Sequence, residues 1–152
     1  MAELKFSKEN VIDCERVARI LFAPSYICDG RVAPTAFRWY IMKGGKVEDY
    51  ISVLRDSGHD MNEMSLRFRP RDEGDERYGY AWLQVRNVRN LSGVMKDTIV
   101  KLVPYPSQKL PNHAGIEVCI GGHKVDAHTP PLPEVMMVQK FLANLCSRPV
   151  KF

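Results

Sequence analysis

The sequence predicts an α+β domain: one mostly antiparallel sheet of about five strands, with an N-terminal and a C-terminal helix packed on it. Three observations carry this expectation. Several stretches alternate apolar and polar residues as half-buried strands do. The connections between most of them are too short for the helical crossovers that parallel strands require. Both ends of the chain place apolar residues at helical spacing. At 152 residues the chain has the length of one domain, spanning 1–152. A chain of that size can build a core without disulfides or a structural metal.

The elements follow in order. Ser7 reads as an N-cap, with Glu9 near the positive end of the helix dipole. Val11, Cys14, Ala18 and Leu21 then mark one face of a helix over about 8–22, which Pro24 ends. Ser25 to Arg31 is a loop around Asp29-Gly30. Residues 35–42 alternate as a strand, the glycines of Lys43-Gly44-Gly45-Lys46 supply a turn, and Tyr50 to Leu54 returns to complete a hairpin. Met61, Met64, Ser65 and Phe68 suit a short helix capped by Asp60, although Met64, Leu66 and Phe68 also alternate as in a strand. Arg69 to Glu76 has no apolar residue beyond Pro and Gly and reads as a solvated loop. Tyr78–Val88, Asp97–Val103 and Gly115–Ile120 are strands by alternation and β-branching, and the prolines of Pro104–Asn112 keep that stretch irregular. Pro133 suits the first turn of a last helix, about 134–146, with Val135, Val138, Leu142 and Leu145 on one face.

Composition narrows the function classes. Hydrophobic residues form 45% and charged residues 26% of the chain, which excludes a wholly disordered protein. No apolar run reaches the ~18–20 residues that span a bilayer, and the charged start Met1-Ala2-Glu3-Leu4-Lys5 leaves no room for a signal segment. A cytoplasmic protein without membrane contact is the expectation. The net charge of +4 is uneven: residues 1–76 carry 12 Lys/Arg against 14 Asp/Glu, and residues 77–152 carry 10 against 4. A basic second half suits an anionic partner, nucleic acid or nucleotide, although it equally keeps a protein of pI 8.9 soluble. Cys14, Cys28, Cys119 and Cys146 show no close pairing, which fits reduced thiols and no zinc framework.

Candidate chemistry gathers at a few positions. His113 joins the proline-rich loop to a strand, beside the small residues Ala114 and Gly115, where an imidazole can act as a base or only fix the loop. His123 and His128 follow the same strand, so a metal site with His113 and Cys119 would have to bridge its ~20 Å length. No metal and no cofactor is read from the sequence. Arg67, Arg69 and Arg71 repeat at every second position, but Asp72, Glu73, Asp75 and Glu76 follow and can neutralise them. Tyr80, Trp82, Arg86, Arg89 and Lys101 form a cleaner aromatic and basic strip of the kind that binds single-stranded nucleic acid. There is no GxxxxGK[ST], GxGxxG or GxSxG motif.

Arg19-Ile20-Leu21-Phe22, Asp29-Gly30-Arg31-Val32 with Pro34 and Ala36-Phe37, Ile51-Ser52-Val53-Leu54-Arg55 and His113-Ala114-Gly115-Ile116 occur in that order over about 17–120. This pattern resembles a group of short bacterial proteins to which no activity is attached. The resemblance implies a bacterial cytoplasmic protein and points to Asp29, Arg31, Ser52 and His113. Three functions remain in view. The first is a non-catalytic binding or accessory domain for an anionic partner. The second is a small enzyme acting on a nucleotide or phosphoester, with His113 as base, Arg31 or Arg55 as phosphate clamp and Asp29 or Ser52 as orienting group. The third is a protein-interaction subunit or homo-oligomer that would expose Met136, Met137 and Phe141.

Overall fold

The computed structural model describes residues 9–42 and 44–152. The expected cap Ser7 and the turn residue Lys43 lie outside the described residues. The segment expected to form the first helix is a strand. β1 (Arg16–Ala23) has Val17 to Phe22 buried without interruption. A strand covered on both faces shows a continuous apolar run instead of alternation, and Val17 to Phe22, broken only by Arg19, is such a run. Val11 and Cys14, which supplied the helical spacing, belong to a loop ahead of it, and Cys14 is exposed.

After β1 come β2 (Ile27–Cys28) and β3 (Arg31–Val32), a small separate hairpin. The main sheet adds β4 (Ile51–Arg55), β5 (Glu76–Gln84), β6 (Thr98–Pro104), β7 (His113–Ile120), β8 (His123–Lys124) and β9 (Val150–Lys151). Its order is β6-β7-β4-β1-β5-β9, with β8 also on β7, and every pairing is antiparallel. Among the described residues the sheet has seven strands, not about five. β1 replaces the expected helix, and β8 and β9 are two residues each, too short to leave a periodic signal. β9 can approach β5 only because position 79 is glycine: a Cβ there would lie 2.0 Å from the Val150 carbonyl oxygen.

The hairpin expected over 35–54 is only half present. Pro34–Phe37 form a 3-10 turn whose adjacent residues Ala36 and Phe37 are both buried, which alternation does not allow. What survives is a single bridge between Ile41 and Val47, then β4 as the returning strand. The short helix α1 (Met61–Ser65) forms as expected, with the Asp60 carboxylate accepting from the Asn62 amide. The strand expected through Val88 ends at Gln84, and α2 (Val85–Val94) takes over with Val85, Val88 and Leu91 buried. These three follow helical spacing, whereas Ala81, Leu83 and Val85 continue the alternation of β5 up to the switch. The expected last helix is present as α3 (Pro133–Leu145), packed on the 3-10 turn, with the Gln139 side chain donating to the Phe37 carbonyl.

Two loops are more tightly held than their composition suggests. Asp75, in the loop expected to be solvated, is buried and accepts from the amide and hydroxyl of Ser25 at 3.1 and 3.0 Å. The edge strand β6 is closed by α2, where the Ser92 hydroxyl accepts from the Val100 amide at 2.8 Å. An edge amide so occupied cannot template another strand. Among the described residues no helix is long and apolar enough to cross a membrane.

Candidate functional site

Ser52 and His113 come together. They sit on the neighbouring central strands β4 and β7, whose register pairs Ser52 with Gly115 and Leu54 with His113. Residues opposite one another in a sheet project to the same face, so the imidazole reaches back diagonally to the serine. His113 Nε2 lies 3.1 Å from Ser52 Oγ, and Nδ1 lies 3.1 Å from the Tyr105 carbonyl oxygen. That carbonyl can only accept, so Nδ1 carries the proton in the neutral ring. Nε2 then presents its lone pair, and the Ser52 hydroxyl donates to it. Burial is the main cause lowering the His113 pKa from its ordinary 6.5, and the charge of Arg19 adds to it, against the opposing bond to Tyr105. The ring is therefore neutral at pH 7.

The strands around the pair are fixed from behind. The guanidinium of buried Arg19 donates to the Ser52 carbonyl and to the Ala36 carbonyl, each at 2.8 Å. Asn112, also buried, donates its side-chain amide to the Arg55 carbonyl at 2.9 Å and accepts the Arg55 amide on its own carbonyl at 2.8 Å. Arg55 has a fully buried side chain, in a two-pronged pair with Glu15 at 2.9 Å on each arm, and donates to the carbonyls of Glu9 and Asn10. It is a structural clamp on the 9–15 segment and not the phosphate clamp the sequence suggested.

Ser52 and His113 face a cavity of about 550 Å³. That volume is within the usual range for small-molecule sites. Its apolar walls are Met42, Val47, Tyr50, Phe68, Pro70 and Leu110, and its charged wall is Lys46, Arg67, Arg69 and Arg71 with Glu48 and Asp49. Both carboxylates are already engaged, Glu48 by Arg71 at 2.9 Å and Asp49 by Lys124 at 3.1 Å. Lys46, Arg67 and Arg69 have no acidic partner among the described residues; the Arg67 guanidinium donates to the Glu63 carbonyl. Tyr50 stacks on Tyr105 with ring centres 4.4 Å apart, over Gly115, where a Cβ would meet the Tyr50 ring at 2.6 Å. The small residue beside His113 is therefore needed, and what approaches it is a tyrosine of the cavity wall.

The other expected site residues lie elsewhere. Asp29 and Arg31 are exposed on the β2–β3 hairpin, and neither lines the cavity. Arg31 instead borders a cleft of about 120 Å³ with Asn144, Cys146 and Arg148. His113 opens β7, whereas His123 pairs with Ile120 at its far end and His128 is exposed on the following turn. Among the described residues no group of three or more His, Cys, Asp or Glu side chains is placed to hold a metal ion. In the aromatic and basic strip, Tyr80 and Trp82 meet edge to face at 5.5 Å, Phe152 leans on Tyr80, and Arg16 stacks over Trp82 at 3.8 Å. Arg89 is tied to Asp13 at 2.8 Å and to the Val11 carbonyl, so of the strip's cations only Arg86 and Lys101 are exposed. On α3, Met136 and Met137 are exposed and Phe141 is half-buried.

The cavity wall was visible in the sequence as Arg67, Arg69 and Arg71, discounted for the acids that follow. Two of those acids are committed elsewhere: Asp72 pairs with Arg38 at 3.0 Å, and Asp75 accepts from Ser25. Lys46, Tyr50, Phe68 and Leu110 left no signal, because three separate segments bring them together. No family model, curated protein or solved structure is significantly similar to this chain.

Proposed function

We propose that the cavity between β4, β7 and the 67–71 segment binds a small anionic molecule with a planar apolar part, of the nucleotide class. The observation that carries this reading is the wall of Lys46, Arg67 and Arg69, three cations without carboxylate partners among the described residues, facing Tyr50, Phe68 and Leu110 across one cavity. Unpaired guanidinium groups suit phosphate oxygens in two-pronged geometry. The aromatic and aliphatic wall suits a base or another flat ring.

This reading keeps the anionic partner expected from the sequence and moves its site. The basic second half is less favoured as the carrier, since Arg89 is held by Asp13 and Trp82 is covered by Arg16, which leaves Arg86 and Lys101 as its exposed cations in the strip. Isothermal titration calorimetry with AMP and ATP, at 50 and 200 mM salt, tests it. Binding that weakens at the higher salt and falls at least tenfold in Arg67→Gln/Arg69→Gln supports the assignment. A folded protein that binds neither nucleotide at low salt rejects the ligand class, and binding indifferent to both substitutions rejects the site.

A further inference from the structure

We infer that Ser52 is a nucleophile activated by His113, and that the protein transfers the acyl group of a small ester to water through an acyl-serine at this position. Geometry carries the inference. The Ser52 hydroxyl donates to His113 Nε2, and the tautomer is set by the Tyr105 carbonyl on Nδ1. A base within hydrogen-bond reach of a hydroxyl, itself oriented by a third group, is the arrangement that serine nucleophiles require. Here a backbone carbonyl does the orienting that a carboxylate performs elsewhere.

The surroundings fit a reactive pair better than a purely structural one. A hydroxyl that only tied two strands together would be enclosed, but Ser52 and His113 both line the cavity. Both stand on central strands, so their separation does not depend on a mobile loop. Rings of Tyr50, Phe68 and Tyr105 surround the imidazole at 5.8, 6.3 and 6.5 Å and limit its rotation. Lys46, Arg67 and Arg69 line the same cavity, so the site in which an oxyanion would develop is electropositive.

In the first step Ser52 Oγ bonds to the carbonyl carbon of the ester while its proton passes to His113 Nε2. The carbon–oxygen bond to the leaving group then breaks, and the departing alkoxide takes that proton. In the second step water attacks the acyl-serine, Nε2 accepts its proton, and Ser52 departs with the proton restored. Ester and water become acid and alcohol, with no change of oxidation state. That the ester bears a negative charge rests on the binding reading above; the nucleophile does not.

The test uses the intact protein and two neutral probes, an alkyl fluorophosphonate and p-nitrophenyl butyrate. Expected are one phosphonyl adduct mapped to Ser52 by peptide mass and p-nitrophenol release that follows a pre-steady-state burst. Ser52→Ala should remove both, and His113→Gln should slow both about 100-fold, the scale of a general base. Rates in wild type should fall with acid at the pH where the His113 imidazole takes up its proton, below the ordinary 6.5 because burial disfavours the charged ring, an effect that a structural bond would not produce. Melting temperatures within a few degrees of wild type establish that the variants fold. A folded wild type that is neither labelled nor active, an adduct at another residue, or labelling that survives Ser52→Ala overturns the inference. Because the probes carry no charge, labelling without nucleotide binding rejects the ligand class alone, and nucleotide binding without labelling rejects the nucleophile alone.

Discussion

Replacing Glu15 by alanine should cost far more than a carboxylate near the chain start would suggest. Arg55 is fully buried, and the Glu15 side chain is 7% exposed. Both carboxylate oxygens are used on Arg55, and one also accepts the Ile12 amide at 2.7 Å. Removing one partner of a buried ion pair costs about 3–5 kcal/mol, because the other charge stays desolvated. The carbonyls of Glu9 and Asn10 still receive the guanidinium, which places the expected loss near the lower end, about 3 kcal/mol. For a chain of 152 residues this corresponds to roughly 6–12 °C in melting temperature.

The assay is urea denaturation followed by circular dichroism, with Glu15→Ala, Arg55→Met and the double variant closing a cycle. The coupling energy should exceed about 1.5 kcal/mol, since the two groups are in direct contact. A loss below about 1 kcal/mol for Glu15→Ala would refute the reasoning, by showing that the guanidinium finds water or other partners without penalty. The consequence extends to the site. Arg55 lies three residues from Ser52, and its backbone exchanges bonds with Asn112 next to His113. Amide exchange of Arg55 and His113 should therefore accelerate in Glu15→Ala before the rest of the sheet opens.

Other predictions follow from single contacts. The His113 imidazole should titrate below 6.5 by NMR, because burial disfavours its charged form. Between that lowered native value and 6.5 the unfolded chain binds the extra proton, so stability should decline as pH falls from about 6.5 and level off below the native value; a titration at or above 6.5 would contradict the buried neutral ring. Gly115→Ala should push Tyr50 from its stack on Tyr105, lowering stability by about 1–3 kcal/mol and weakening nucleotide binding, both absent if the strands simply part to make room. Ser92→Ala strips the Val100 amide of its partner, with an expected loss of about 1–3 kcal/mol and a greater tendency to self-associate in light scattering through the opened edge of β6. Gly79→Ala should detach β9 from β5, read as fast exchange of the Phe152 amide, which donates to the Tyr78 carbonyl, against an otherwise protected sheet.

How much of this was legible depended on whether the deciding contact was local. α1 announces itself through its cap, α3 through helical spacing, and β5 and β6 through alternation, because each of these strands has one face inward and one outward. β4 and β7, largely buried on both faces, show through β-branched residues and the turns beside them. β1 does not: with both faces covered its apolar residues are contiguous, and Val11 and Cys14 ahead of it happen to extend them at helical intervals. α2 was hidden for a related reason. Val85 satisfies both the alternation of β5 and the i, i+3 spacing of Val88 and Leu91, so the switch point carries no mark of its own.

The site shows the same division between sequence neighbours and spatial ones. His113 stood out because an imidazole beside two small residues is conspicuous locally, and its partner Ser52 entered only through a resemblance. Nothing in the 60 residues between them indicates that β4 and β7 pair in the register that joins them. Charge was the most misleading guide. Counting by halves directed attention to residues 77–152, yet the cations without carboxylate partners that line the cavity are Lys46, Arg67 and Arg69, in the half where acids outnumber bases. A count along the chain treats Asp72 and Asp75 as neutralising the arginines beside them. In the fold Asp72 answers Arg38 and Asp75 answers Ser25, so the field at the cavity is set by which acids are already committed elsewhere. The Arg67→Gln/Arg69→Gln variant therefore separates two ideas of where the protein's positive charge acts: loss of nucleotide binding with Arg86 and Lys101 untouched assigns it to the pocket, and retained binding returns it to the exposed surface of α2 and β6.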